Sequence, residues 1–208
     1  MIAQQPISRF LDELASAAPT PGGGSAAAVM GAMGAALVSM VCHLTIGRKD
    51  CEGVEVPMRQ ALGEAEALRH RLTAMIEDDV QAFEALMAAY RLPRASEDDK
   101  LTRGAAIQRA LKHATDVPLA CASACAEVIA LSQRIAAIGH RGVISDAGVA
   151  VLSAHAALRS AALNVYINVP SIKDAEFAQD RRTRLEALLE QCAVGSEQTY
   201  NAVLKRLG

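Results

Sequence analysis

PGGGSAAAVMGAMGAALVSMVCHLTIG, residues 21–47, is the stretch on which the fold turns. From Ser25 to Gly47 it holds no Asp, Glu, Lys or Arg, and His43 is its only acidic or basic residue. Such a run is long enough to span a bilayer. It is filled with Gly and Ala rather than Leu and Ile, which suits a helix hemmed in by close-packed neighbours. The expectation is therefore a buried helix from about Ser25 to Gly47. Gly47 supplies its C-terminal stop, with Arg48 and Lys49 following.

The rest of the chain reads in the same helical register. Ile7 to Ala17 forms a short amphipathic helix with Phe10, Leu11 and Leu14 on one face. Ala18 to Gly24 is a turn. Pro57 opens a third helix that runs to about Tyr90, before Pro93. Ser96 to Asp99 is a capping-box pattern for a helix from Glu97 to Thr115. Asp116 and Pro118 then restart or kink the chain, and helix resumes to about Ile138. After a loop at Gly139 to Gly142, Ser145 caps a helix lasting to about Asn168. Ser171 to Asp174 is a second capping box, and a final helix runs nearly to the C-terminus. No alternating apolar pattern of strand type occurs. The expected fold class is all-α: one domain over residues 1–208, a bundle of roughly six to eight helices.

Composition narrows the function classes. Half of the 208 residues are hydrophobic, but only 3% are aromatic, so the core is built from Ala, Leu, Val and Met. A formal charge of -2 argues against a nucleic-acid partner, which calls for a basic face. The five cysteines have no C-x-x-C spacing and read as small core residues of a cytoplasmic protein. The five histidines show no ligand spacing, so no metal site is expected. His43 and His155 lie within helices as core or interface residues, and His70 and His113 read as exposed. The N-terminus has no signal pattern.

Four places carry candidate chemistry. Pro21, Gly22, Gly23, Gly24 and Ser25 lead into a helix start, where bare N–H groups and the helix dipole favour an anion or a polar ring edge. A tight turn between packed helices would account for the same residues. Asp79 falls on an apolar stripe, Leu72, Ile76, Asp79, Phe83, Leu86 and Tyr90, with steps of four and three. A carboxylate at such a position needs a partner or lines a pocket with a shifted pKa. Ser145 and Asp146 stand at a helix start, where a cap and an acidic first turn are favourable without any function. Asn164 and Asn168 share a face with Asp146, but Asn164 lies about 27 Å from it along the helix. A two-fold dimer could bring those opposite ends together; otherwise the asparagines bond between helices. His140, in the loop before Ser145, is the one histidine to watch. Lys49, with Arg48, could attract an anionic tail, although about 36 Å of helix separates it from Ser25.

These motifs occur in an order that resembles a known family. Phe10-Leu11, then Pro19-Thr20-Pro21-Gly22-Gly23-Gly24-Ser25-Ala26-Ala27-Ala28, then Gly31 to Leu37, is similar to the opening of the formimidoyltetrahydrofolate cyclodeaminase family. That family includes the C-terminal domain of formiminotransferase-cyclodeaminase and stand-alone methenyltetrahydrofolate cyclohydrolases. Asp79 to Phe83 resembles its Asp-x-x-Ala-Phe segment. Leu92-Pro93, Val117-Pro118-Leu119, Ser145-Asp146 and Asn164 to Asn168 match as well. Met40-Val41-Cys42, Leu44 to Gly47 and Ala147 to Ser153 resemble the stand-alone cyclohydrolases of methylotrophic bacteria more than the cyclodeaminases.

The resemblance implies a helical homodimer acting on a tetrahydrofolate one-carbon unit, with no metal; no tightly bound cofactor and no membrane or nucleic-acid partner is expected. It implies hydrolysis of 5,10-methenyltetrahydrofolate to 10-formyltetrahydrofolate, with cyclodeamination of 5-formimidoyltetrahydrofolate as the alternative. It places the proposed catalytic aspartate at Asp79. Substrate contacts are expected from Pro21 to Ser25, His140, Ser145, Asp146, Asn164, Asn168 and Lys49. The family carries Gly-Asn where this chain has Gly139-His140, and an aromatic where it has Cys51. If the asparagine touches substrate, His140 replaces its donor or changes the preferred reaction.

Overall fold

A computed structural model describes residues 2–208. Six α-helices make up nearly all of it: α1 (Ile7–Leu14), α2 (Gly23–Thr45), α3 (Glu55–Arg91), α4 (Glu97–Ile138), α5 (Ile144–Asn168) and α6 (Ala175–Leu207). Four short 3-10 turns join or precede them, and no strand occurs among the described residues. The all-helical expectation holds, within the expected range of helix number.

α2 is the buried helix that its composition demands. It packs along α3 and α5 and more lightly against α4, while α4 also packs on α3, α5 and α6. The contact faces are alanine-rich: Ala27, Ala28 and Ala35 on α2 meet a core that includes Ala150, Ala154, Ala157 and Ala161 on α5. Small side chains let helix axes approach closely, so dispersion contacts replace the bulk that aromatics would supply. Cys42, Cys121, Cys125 and Cys192 are buried in the same core and all five cysteines are free thiols. Burial pushes the Cys42 thiol up to about 11, which leaves it protonated and unreactive. α2, α4 and the Arg141–Ser171 segment are each apolar and long enough to cross a membrane, and half or more of the most apolar window in each is buried in the bundle.

Several local expectations are corrected. α1 ends at Leu14 rather than Ala17, and Leu11 faces outward while Phe10 is buried. α2 starts two residues earlier than Ser25, so Gly23 and Gly24 are already helical; it ends at Thr45, and Gly47 turns the chain at φ 78°. His43 is exposed, which rules out the core placement for it within one chain. The Ser96–Asp99 capping box forms with both of its hydrogen bonds at 3.0 Å. The second box does not: Asp174, not Ser171, caps α6 by accepting the Phe177 N–H at 3.1 Å. Ser145 does not cap α5, which begins at Ile144 with no side-chain cap.

The largest departure is α4. It runs unbroken from Glu97 to Ile138 with Pro118 inside it. Proline has no N–H, so the carbonyl four residues back, on Ala114, loses its helical partner. Asn168 on α5 supplies the missing donor: its Nδ2 donates to the Ala114 carbonyl at 2.8 Å. Packing on α5 thus carries the helix through a residue that on its own would break it.

Candidate active site

The start of α2 and the middle of α3 meet at Asp79. Ser25, fully buried, donates its hydroxyl to Asp79 Oδ2 at 2.8 Å, with the Ile76 carbonyl a longer alternative at 3.3 Å. The Ser25 backbone N–H lies close enough to the Asp79 carboxylate to favour its charged form. Ser25 is the third residue of α2, one of the four whose N–H has no partner inside the helix. Asp79 therefore stands against the start of α2 from another helix, and its charge sits where the helix dipole is positive. The anion that this helix start receives is the protein's own.

Gly24 makes that approach possible. A Cβ at Gly24 would overlap the Asp79 carboxylate, both oxygens and the carbon that bears them. The glycine run therefore has a packing reason at Gly24. Gly22, the N-cap, and Gly23 have negative φ or helical geometry and need no left-handed backbone.

Asp79 is half-buried, and burial raises its carboxyl above the ordinary range while the Ser25 hydroxyl and N–H pull it back. The net shift is upward, because desolvation outweighs those groups. It faces a cavity of about 300 Å³. Pro19, Thr20, Gly22, Gly23 and Gly24 form one wall. Ala82, Phe83 and Leu86 continue the α3 face, Ala114 comes from α4, and Asn164, Ile167 and Asn168 come from α5. A Cβ placed on Gly23 would meet the Asn164 amide nitrogen at 3.8 Å, so that amide lies along the helix start. The arrangement is a carboxylate with raised proton affinity, bare backbone on one side and carboxamides on the other, under an apolar aromatic wall.

Of the residues singled out in the sequence, Gly22, Gly23, Gly24, Asp79, Asn164 and Asn168 come together here. Ser25 lies behind the cavity, acting on Asp79, and Pro21 is buried outside the cavity wall. Asn164 donates to the Ser160 carbonyl at 3.0 Å and Asn168 to Ala114, so each amide nitrogen is held. Ser145, Asp146, His140 and Lys49 are not part of this cavity within one chain. They lie at the opposite end of α2 and α5. There His140 lines a separate cavity with Asp50, Cys51, Arg141 and Arg206. Its Nδ1 accepts the Gly142 N–H at 3.1 Å, its backbone N–H donates to Thr45 Oγ1 at 3.0 Å, and its Nε2 lies 3.4 Å from Asp50. Arg206 donates to the Ala136 and Gly139 carbonyls that close α4. His140 is a junction residue of the bundle's far end.

Sequence reading passed over Phe83 and Ile167 as site residues. Phe83 is one turn after Asp79 on the same stripe, a signal that could have found it. Ala114 and Ile167 carry no local signal; only the packing of α4 and α5 beside Asp79 selects them.

A family model for formiminotransferase-cyclodeaminase matches residues 6–187. The methenyltetrahydrofolate cyclohydrolase of Methylorubrum extorquens is 55% identical over 207 residues, covering the whole of both chains. The formimidoyltransferase-cyclodeaminase of Sus scrofa is 36% identical over 190 residues, which span 91% of this chain and 35% of that larger protein. Among solved structures, the formiminotetrahydrofolate cyclodeaminase of Thermotoga maritima superposes with a TM-score of 0.82 at 31% identity, over 100% of this chain and 98% of its own. With an all-helical fold, a raised aspartate at a glycine-lined cavity and this likeness along its full length, the chain belongs to the formiminotransferase-cyclodeaminase family.

Proposed function

We propose that the protein hydrolyses 5,10-methenyltetrahydrofolate to 10-formyltetrahydrofolate, with Asp79 as the general base. The observation that carries the reading is the 55% identity, end to end, to a protein named methenyltetrahydrofolate cyclohydrolase. The Asp79 cavity supplies the chemistry that reaction asks for.

The bridging carbon of the substrate lies between N5 and N10 and shares a positive charge with them. A carboxylate in a partly desolvated site attracts that cation more strongly than it would in water. Water attacks the bridging carbon and gives one proton to Asp79, whose burial makes it a stronger base than an exposed carboxylate. The adduct is a neutral carbinolamine. Its C–N5 bond then breaks, the remaining hydroxyl proton ends on N5, and the C–O bond becomes the formyl carbonyl on N10. Asp79 returns its proton to solvent. One water is consumed and one proton is released.

Gly22 and Gly23 offer close backbone approach for the ring system, Phe83 gives it an apolar face, and the carboxamides of Asn164 and Asn168 orient its polar edge. The enzyme works in the cytoplasm as a homodimer on a substrate taken from solution, with no resident cofactor or metal and no membrane or nucleic-acid partner. The formal charge of -2 and the free thiols, four of them buried, support that setting.

Cyclodeamination is the second reading, favoured by the cyclodeaminase from Thermotoga maritima that matches along the whole chain. There N10 attacks the formimidoyl carbon and ammonia leaves, and the same carboxylate serves as the proton carrier. Both substrates can be followed through the absorbance of the methenyl species. The expected result is rapid loss of 5,10-methenyltetrahydrofolate and little or no methenyl formation from 5-formimidoyltetrahydrofolate. The reverse preference would move the assignment to the cyclodeaminases.

A further inference from the structure

The apolar core is in two parts. The larger holds the buried apolar residues of α2 and α5, with α3 as far as Ile76, α4 from Leu119 onward and α6 from Leu185 onward. The smaller joins the end of α3 (Ala82 to Ala89), the start of α4 (Ile107 to Ala114) and Ile172, just ahead of α6. Only Leu86, Ile107, Leu111 and Ile172 in it are larger than alanine. Val80 is buried between the two parts and belongs to neither.

The division falls beside Asp79 on α3 and at Pro118 on α4. Pro118 cannot donate back to the Ala114 carbonyl, so α4 bends there at less cost than elsewhere. Residues 82–117 therefore form a hairpin arm that stands on a small core of its own. Arg103 donates to the Tyr90 carbonyl at 3.1 Å, which ties the two helices of the arm together near its tip. A unit with few buried apolar contacts opens ahead of the rest of a protein.

The Asp79 cavity lies across this division. Ala82, Phe83, Leu86 and Ala114 on the arm form one side of it; Gly22 to Gly24, at the start of α2, and Asn164, on α5, face them. Outward movement of the arm widens the cavity and leaves the start of α2 in place. At about 300 Å³ the closed cavity is at the bottom of the range for small-molecule sites, so a fused ring system needs one side to give way.

The arm is fastened by side chains on α4. Gln108 donates from Nε2 to the Ser171 carbonyl at 3.0 Å and accepts the Lys173 N–H on Oε1 at 2.8 Å, so one amide pairs with the backbone on both sides of Ile172. Lys112, one turn later, donates to Asp174 Oδ2 at 2.6 Å and lies 4.9 Å from the centre of the Phe177 ring. Asn168 and Arg181 hold Ala114 and Asp116 at the base of the arm, beside the bend. Gln108 and Lys112 hold it further out, where a swing moves it more.

We propose that the arm opens about Pro118 as one unit and admits substrate to the Asp79 cavity, with Gln108 and Lys112 as the latch that sets how often it opens. The proposal rests on the folate reading only for the identity of what enters. Hydrogen exchange followed by mass spectrometry reads the motion without ligand. Peptides within residues 82–91 and 97–117 are expected to exchange together, at least about tenfold faster than those of α2 and α5. In Gln108→Ala/Lys112→Ala, exchange of the arm is expected to rise by about a further tenfold, from two lost hydrogen bonds and a half-exposed ion pair, with α2 and α5 unchanged. Pro118→Ala, which returns an N–H to α4, is expected to slow it. Arm peptides as slow as those of α2 in the wild type, or a variant that speeds exchange evenly throughout, would overturn the proposal. Gating is read from 5-formyltetrahydrofolate binding to the immobilised protein. The closed form predominates in both proteins, so the latch variant is expected to raise the association and dissociation rates together by about tenfold and to leave Kd within about twofold. A latch that only shaped the site would change Kd instead. A raised Kd with an unchanged association rate therefore counts against the gate. Wild-type protein that takes up no folate rejects the folate reading, while the exchange pattern still decides whether the arm opens.

Discussion

Ser25 and Asp79 are far apart in sequence but share one hydrogen bond and one backbone contact, and through them the start of α2 sets the proton affinity of α3's carboxylate. Removing the hydroxyl in Ser25→Ala removes a bond that favours the charged form, so the Asp79 carboxyl rises further. The acid limb of the pH–rate profile is expected to move to higher pH, with kcat lower by about tenfold or more, from the worth of a hydrogen bond to a charged group. An unmoved limb would show that Ser25 only packs. Asp79→Asn has a stability consequence with a definite sign. Because burial raises the folded carboxyl above its unfolded value, the native state binds the proton more readily. Stability is therefore lost, not gained, as pH rises from the unfolded value through the raised one. The neutral Asn is expected to melt at the same or a higher temperature than wild type at pH 7, and the difference should vanish in acid. A lower melting temperature at pH 7 would mean that the carboxylate's contact with the start of α2 outweighs the desolvation. At this scale the sequence was informative where a residue broke a pattern. Asp79 stood on an apolar stripe, and three consecutive glycines led straight into a helix start. It was silent on why: only the folded approach of α2 to α3 shows that Gly24 makes room for Asp79 and that Ser25 is turned away from the cavity.

Helix identity was legible almost throughout, because apolar residues recur at helical spacing and the Ser96–Asp99 box marks one helix start with its own chemistry. What local reading misjudged was Pro118. A proline breaks a helix when the freed carbonyl has no other donor, and nothing near Pro118 in sequence reveals a donor 50 residues on. Asn168 is that donor, and the same contact ties α4 to α5 beside the cavity. Asn168→Ala is expected to destabilise the fold by about 1–3 kcal/mol, the cost of a buried polar group left unpaired. In a Pro118→Ala background, where the backbone N–H at 118 returns, the same change should cost clearly less. Thermal or urea unfolding of the four proteins in the cycle measures the coupling. Equal costs in both backgrounds would mean that the Asn168 bond does not replace the helical one. The misplaced caps at Ser145 and Ser171 have a similar lesson. A Ser near a helix start caps only if the chain turns at that residue, and packing of the preceding 3-10 turns decided otherwise.

On the scale of the whole molecule, the bundle gathers Pro21 to Ser25, Asn164 and Asn168 around Asp79 at the start of α2 and leaves Lys49, His140, Ser145 and Asp146 at the other end. Their positions along the helices were readable from residue count alone, but which of them share a cavity was not, since that depends on how α2, α3 and α5 pack. The glycine run, Asp79 and the two asparagines form one cavity regardless of what covers it, and the assignment of function stands or falls on the carboxylate in it. The most direct measurement is steady-state hydrolysis of 5,10-methenyltetrahydrofolate by wild-type and Asp79→Asn protein, followed by loss of methenyl absorbance, with folding of the variant verified by circular dichroism. A loss of 10²–10⁴-fold in kcat, of the order expected for a removed general base, with substrate still bound, is the predicted result. A folded Asp79→Asn protein that hydrolyses the substrate at near the wild-type rate would contradict it.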